Sequence, residues 1–194
     1  LGDGPPADAP RAAIAEAADA VGNYHAFLLA YQGMNNPELQ SGYGRLACAV
    51  MENWLGTQDL PPQPRRRPAR KIRVGIVSAH LRRHSVWDVL TSGMLRGLDR
   101  TRFEVFAYHT LGRPDEETAL AEQWADAFRQ GPWPLRRWLE RIRDDAPDVL
   151  LYPELGMDPV STRLAPLRPA PVQAAWWGHP DTTGLPTIDY YLSG

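Results

Sequence analysis

The stretch KIRVGIVSAHLRRHSVWDVL, residues 71–90, decides the fold of this chain. Its first part, residues 73–78, is a short run rich in β-branched residues, which is typical of a buried strand. A loop over residues 79–84 follows. Apolar residues then recur at every fourth position, which places them on one face of a helix: Val86, Leu90, Met94 and Leu98. Strand, loop and helix in this order predict the opening unit of a parallel α/β sheet.

The loop after this strand carries two histidines and two arginines: His80, Arg82, Arg83 and His84. In open parallel sheets, ligands bind in the crevice at the carboxyl ends of the strands. A histidine in that place can act as a general base or can hydrogen-bond a substrate. Histidines among arginines are also common on surfaces that do no chemistry, and the pattern alone favours that simpler interpretation.

The downstream sequence continues the alternation of strands and helices. Further strands are predicted over residues 103–110, 148–152, 172–177 and 188–192. One helix is predicted to begin at Pro114 and to place four apolar residues on one face: Leu120, Trp124, Ala127 and Phe128. A second helix has its own apolar face: Leu135, Trp138, Leu139 and Ile142. This spacing predicts a parallel sheet with right-handed crossovers.

A different kind of sequence precedes this α/β part. Residues 1–10 have a composition that does not order itself. Two helices are predicted over residues 11–31, with a break near Gly22, and over residues 41–55, with Gly56 as the C-terminal cap. The segment PPQPRRRPAR, residues 61–70, is typical of an extended linker. We therefore divide the chain into a helical region (1–60), a linker (61–70) and an α/β lobe (71–194).

Composition excludes several classes of protein. The net charge of −2 lacks the excess of basic residues expected of a general nucleic-acid binder. No apolar run approaches the roughly 20 residues that span a bilayer. The single cysteine, Cys48, allows no internal disulfide and fits a reducing compartment. A cytoplasmic protein with no nucleic-acid or membrane partner is therefore expected.

Common cofactor and metal motifs are absent from the sequence. It contains no G-x-G-x-x-G after the first strand, no P-loop, no G-x-S-x-G elbow and no H-E-x-x-H. The five histidines lack metal-ligand spacing with carboxylates or with the cysteine. No metal and no tightly bound cofactor are expected.

A second polar loop follows the strand predicted at residues 172–177. It spans residues 178–184, GHPDTTG, and lies at the carboxyl end of that strand. Gly178 and Gly184 allow a close backbone approach, and Thr182 and Thr183 offer hydroxyl groups to a sugar or phosphate. An ordinary connection between two strands explains the same residues equally well.

The segment LRPAPVQAAWWGHPDTTGLPTIDYYLSG resembles the protein O-GlcNAc transferase family. That family reads L-R-P-A-P-[IV]-Q, then a strand, G-Y-P-G-T-[ST]-G and an aspartate–tyrosine pair. The corresponding residues here are 167–173, 178–184 and 189–190. Residues 71–90 are similar to the family's R-V-G-[YF]-V-S…H-P-T segment, and RFEVFAYHT is similar to its second strand. The resemblance covers the chain from about Lys71 onward.

The resemblance implies the first lobe of a GT-B glycosyltransferase, in which two Rossmann-like lobes face each other behind a helical repeat region. It implies transfer of GlcNAc from UDP-GlcNAc to serine or threonine hydroxyls of intracellular proteins, with inversion and without a metal. His84 matches the family's active-site histidine, either a base or a substrate-orienting group. The implied substrate-binding residues are Ser85, Gly178, His179, Pro180, Thr182, Thr183 and Gly184.

The sequence departs from the family at several positions. Ser85 replaces a proline, His179 a tyrosine and Asp181 a glycine. The family continues beyond the position of Gly194 into a second lobe, which holds most of the nucleotide, so the lobe alone is expected to be inactive. Two alternatives remain open: a non-catalytic binding module, and a related GT-B glycosyltransferase with another acceptor.

Overall fold

The computed structural model describes residues 11–23, 26–61, 71–179 and 181–193. Six strands in these ranges form one sheet: β1 (Ile72–Ser78), β2 (Phe103–His109), β3 (Ala127–Gln130), β4 (Val149–Tyr152), β5 (Val172–Trp176) and β6 (Tyr190–Leu192). The helices are α1 (Arg11–Asn23), α2 (Pro37–Thr57), α3 (Ser92–Gly97), α4 (Glu116–Trp124), α5 (Leu135–Asp145) and α6 (Pro159–Leu164). Shorter helical turns occupy Ala26–Gln32, Trp87–Thr91 and Ala165–Leu167.

The sheet has the order β3-β2-β1-β4-β5-β6, and every neighbouring pair is parallel. This order confirms the predicted α/β class with a Rossmann-like sheet. From β1 the chain adds β2 and β3 on one side, and it then returns to the other side of β1 to add β4, β5 and β6. The crevice of the fold therefore opens between the carboxyl ends of β1 and β4.

The predicted helix over Ala127 and Phe128 is wrong. Helix α4 ends at Trp124, and the chain then forms the short strand β3, which pairs with β2. The side chain of Asp126 accepts a hydrogen bond from the Val105 backbone amide at 2.7 Å and fixes the turn into this strand. The apolar spacing fits a helix, but pairing with an open edge of the sheet overrides that local preference.

The predicted helix after the first loop is confirmed, but its buried face differs from the predicted one. Its start, Trp87–Thr91, is a π-helical turn, and a π-turn holds one more residue than an α-turn. The inward face therefore shifts, and Leu95 is fully buried where the regular spacing predicted Met94. Leu98 lies beyond the last helical residue.

The N-terminal helices pack directly on the α/β part. Apolar residues of α1 and α2 share one core with the sheet and with α5 and α6: Ile14, Ala18, Val21, Ala47, Val50, Met51 and Trp54. The predicted break after α1 is present, but Gly56 is inside α2, which is capped at Gln58. Most of the predicted linker, residues 62–70, lies outside the described residues.

Helix α2 makes an unusually close backbone contact with the loop after β5. A Cβ atom added at Gly44 would meet the carbonyl oxygen of Gly184, and one added at Gly184 would meet the carbonyl of Gln40, both closer than real Cβ contacts allow. Gly184 also has a φ of +64°, which L side chains rarely adopt. The two glycines therefore allow helix α2 to pack closely against the loop after β5.

We predict that Gly44→Ala lowers the free energy of unfolding by about 1–3 kcal/mol, because overpacking forces helix and loop apart. Gly56→Ala in the same helix is the control, since no heavy atom lies within 4 Å of its Cβ position. That variant should be neutral or gain up to about 1 kcal/mol from helix propensity. Urea unfolding measures both, and equal effects would show that the contact is unimportant.

Candidate functional site

Three segments meet at the crevice of the sheet. They are the loop after β1 (residues 79–85), the segment after β4 (153–156) and the loop after β5 (177–184). Because β4 lies between β1 and β5, the middle segment separates the two loops singled out from the sequence. Its side chains and backbone contact both of them.

Glu154 holds the start of the first loop in place through hydrogen bonds. Its Oε1 atom accepts hydrogen bonds from the Ser78 hydroxyl at 2.7 Å and from the Ala79 amide at 2.8 Å. The Ser78 oxygen in turn accepts from the His80 amide at 2.9 Å. Glu154 is 1% exposed, so this network is shielded from water. Sequence reasoning missed it; the available signal was an acidic residue directly after a buried apolar strand.

The buried carboxyl of Glu154 is expected to carry a proton at neutral pH. Burial, and then the nearby carboxylate of Asp158, raise its pKa to about 8, and the bonds from Ser78 and Ala79 offset this only in part. Its second oxygen, Oε2, is buried without a hydrogen-bond partner. A neutral carboxyl avoids the large cost of placing a charge there.

The same segment supports the second loop. A Cβ at Gly178 would collide with the carbonyl oxygen of Pro153, and it would come within 3.2 Å of a Leu90 methyl group. Gly156 lies beside the imidazole of His179, with 3.3 Å between its Cβ position and Cδ2. The backbone of the segment after β4 therefore packs against the loop after β5.

His84 is half-buried at the end of the first loop. Its ring stacks on that of His80, with centroids 3.9 Å apart and an angle of 12°. The Val86 amide donates to Nδ1 at 3.2 Å, so the neutral ring carries its proton on Nε2. Burial and the Arg82 charge lower the His84 pKa, against a smaller opposing effect of Asp88.

The remaining predicted residues fall into two groups. Gly178 lies against Pro153 and Leu90, whereas Thr182, Thr183 and Gly184 lie toward α2. Each threonine hydroxyl accepts a local backbone amide, from Gly184 at 3.4 Å and from Leu185 at 3.3 Å. Ser85 is exposed as the first residue of the helical stretch that follows the first loop, and Pro180 lies outside the described residues.

His179 is an internal contact of the loop. It is 3% exposed and packs edge-on against Phe27, with centroids 4.7 Å apart. The Asp181 amide donates to its Nδ1 at 3.1 Å, and the Tyr191 hydroxyl donates to its carbonyl at 2.8 Å. Burial lowers its pKa. In this position His179 ties the loop to the N-terminal segment and to β6.

Among the described residues, no group of three histidine, cysteine or acidic side chains is placed to hold a metal ion. None of the described helices is both long and apolar enough to cross a membrane.

Comparisons with known proteins give a consistent set of relatives. No profile of a known protein family matches the chain. It is 30% identical over 136 residues to SPINDLY of Arabidopsis thaliana, named a probable UDP-N-acetylglucosamine–peptide N-acetylglucosaminyltransferase. It is 27% identical over 129 residues to a Caenorhabditis elegans protein named UDP-N-acetylglucosamine–peptide N-acetylglucosaminyltransferase. These matches cover 65% and 64% of this chain but 14% and 11% of the relatives, so the chain corresponds to a small part of them.

A solved structure agrees with these relatives. A mutant O-GlcNAc transferase of Thermobaculum terrenum superposes with a TM-score of 0.68 and 27% sequence identity. The match covers 90% of this chain and 33% of that protein. It therefore extends beyond the sheet and includes much of the N-terminal helical segment.

We predict that the free energy of unfolding of Glu154→Gln increases relative to that of the parent chain as pH rises. Glu154 has a pKa of about 8 in the fold and an ordinary value of 4.5. Over that interval the unfolded chain releases a proton that the folded chain retains, so the free energy of unfolding of the parent falls as pH rises. The variant has an uncharged amide at this position, so its stability lacks this dependence on pH.

Urea unfolding of both chains from pH 5 to pH 8 tests this, with the exposed Glu122→Gln as the control. A parent–variant difference that stays constant with pH would contradict a protonated Glu154.

Proposed function

We propose, from its similarity to the SPINDLY and O-GlcNAc transferase proteins, that the chain is the first lobe of a two-lobed glycosyltransferase. The proposed reaction moves GlcNAc from UDP-GlcNAc to serine or threonine hydroxyls of cytoplasmic proteins, with inversion and without a metal. The observation that supports it most is the pair of loops, ending in His84 and beginning at Gly178, that flank the crevice of the sheet.

In the proposed reaction the acceptor hydroxyl oxygen attacks the anomeric carbon while the bond from that carbon to UDP breaks. The lobe contributes by holding reactants in position, which is a large part of the acceleration in such transfers. The loop after β5 would border the donor sugar through its backbone and through Thr182 and Thr183. The second lobe would bind most of the nucleotide and stabilise the charge on departing UDP.

The geometry of His84 favours an orienting role over that of a base. With Nδ1 accepting from the Val86 amide, the neutral ring presents Nε2–H and donates a hydrogen bond. It can hold the acceptor oxygen in line with the anomeric carbon. The hydroxyl proton then passes to a donor phosphate oxygen or to water.

The competing proposal is a binding module without catalysis. It draws on exposed aromatic side chains beside the loop after β5: Trp177, Tyr190 and Tyr191 are 41%, 63% and 44% exposed. Aromatic faces of this kind suit sugar stacking or a protein interface. The two proposals differ in whether addition of a second lobe creates nucleotide binding.

We predict that calorimetry detects UDP and UDP-GlcNAc binding only when the chain is extended through a second lobe. His84→Ala in the extended protein should lower kcat by about 10²-fold, since a small misplacement of the acceptor oxygen costs on that scale. Val89→Ala, at a 63% exposed position of the following helix, is the matched control and should leave kcat unchanged.

Tight UDP binding by the chain alone would contradict the proposal that the second lobe binds most of the nucleotide. Absence of binding by the extended protein would exclude the enzyme and favour the binding module.

A further inference from the structure

Beside His84, two neighbouring loops enclose polar side chains that have no hydrogen-bond partners. We call these residues the His–Arg cluster: His80, Arg82, His109 and Thr110. His80 and Arg82 belong to the loop after β1, His109 is the last residue of β2, and Thr110 directly follows it. The cluster therefore lies at the carboxyl ends of two paired strands, on the side of His84 away from the loop after β5.

His109 is the innermost member of the cluster. It is 2% exposed, and neither ring nitrogen makes a hydrogen bond of ordinary geometry, although the nearby Ser78 backbone favours its charged form. The adjacent carbonyl of Ser78 is occupied by the Thr110 amide at 3.0 Å. His80 Nδ1, Arg82 Nε and Thr110 Oγ1 are also buried without partners. So many unsatisfied polar atoms in one place call for a specific explanation.

The charges around these atoms are mostly of one sign. Burial, followed by His84, Arg82 and His109, lowers the pKa of His80 to about 4, and burial followed by Arg82 lowers that of His109 to about 4. Against these effects, the Ser78 backbone and, more weakly, the carboxylate of Asp115 favour the charged form of His109. Its carboxylate already accepts the amides of Arg83, Glu117 and Thr118.

We propose that the His–Arg cluster binds an oxyanion, either a carboxylate or a phosphate group. Arg82 would supply a permanent charge, and His80 and His109 would supply ring N–H donors once an anion favours their protonated forms. Charge-assisted hydrogen bonds in a site shielded from water are strong. His80 and Arg82 are half-exposed, so the cluster meets solvent on their side.

The position of the His–Arg cluster indicates which reactant carries the oxyanion. This inference rests on the proposed function. His80 stacks on His84 at 3.9 Å, so the anion would lie next to the proposed orienting residue. Two parts of the reactants carry such a group: the diphosphate of the nucleotide sugar and an acidic side chain of the acceptor polypeptide. Their shared chemistry is the oxyanion.

Sulfate tests the site in this chain alone, because its charge does not change between pH 5 and pH 8. We expect saturable shifts of the His80 and His109 ring signals in NMR spectra, with a rise in both pKa values. His179 is an internal control, since it is buried at 3% exposure outside the cluster. Equal shifts of all three histidines, or no saturation, would overturn the proposal.

Arg82→Met keeps the length of the side chain and removes its charge. We expect sulfate affinity to fall by about tenfold or more, whereas Arg113→Met, at an exposed position of the adjacent loop, should leave it unchanged. Affinity should rise as pH falls from 6.5 to 5, by up to about tenfold per pH unit for each proton taken up with the anion. Unchanged affinity in Arg82→Met would refute the site.

Competition then separates the two sources of the anion. In the protein extended through a second lobe, UDP displacing sulfate identifies the donor diphosphate, and N-acetylglutamate amide displacing it identifies an acidic acceptor side chain. If neither UDP nor N-acetylglutamate amide displaces sulfate at high concentration, the oxyanion does not belong to a reactant, and that assignment is overturned. Sulfate binding and its loss in Arg82→Met are measured without a second lobe, so these two results stand apart from the test of the glycosyltransferase proposal.

Discussion

The buried carboxyl of Glu154 joins the ends of β1 and β4, and the geometry of the crevice depends on that junction. It orders the backbone from Ser78 to His80 through three hydrogen bonds in sequence. The loop ending in His84 starts from this fixed point. A charged carboxylate in the same place would be costly, and a neutral one holds the two strand ends together without that cost.

The second constraint is a set of close backbone approaches on the other side of Glu154. Pro153 and Gly156 pack against Gly178 and His179, and Gly44 of α2 packs against Gly184. The loop after β5 is therefore held between the sheet and the N-terminal helices. Helices that the sequence assigned to a separate region share a core with the lobe and shape its candidate site.

Much of the fold followed from local patterns, because buried strands and amphipathic helices leave strong periodic signals. The two failures have different causes. Ala127 and Phe128 fit a helical face but pair with β2, and Met94 loses its inward position to Leu95 after a π-turn. Pairing with a distant strand decided the first case, and one extra residue in a helical turn decided the second.

The sequence by itself determined the parallel α/β class, the two polar loops at strand ends and the resemblance to O-GlcNAc transferases, since short-range spacing and motif residues carry that information. Only the tertiary structure decided that Glu154 lies between the loops and that the buried ring of His109 lies near Arg82. Glu154 follows Ser78 by 76 positions in the sequence. Side chains so distant become neighbours only when parallel strands place their ends at one edge of a sheet.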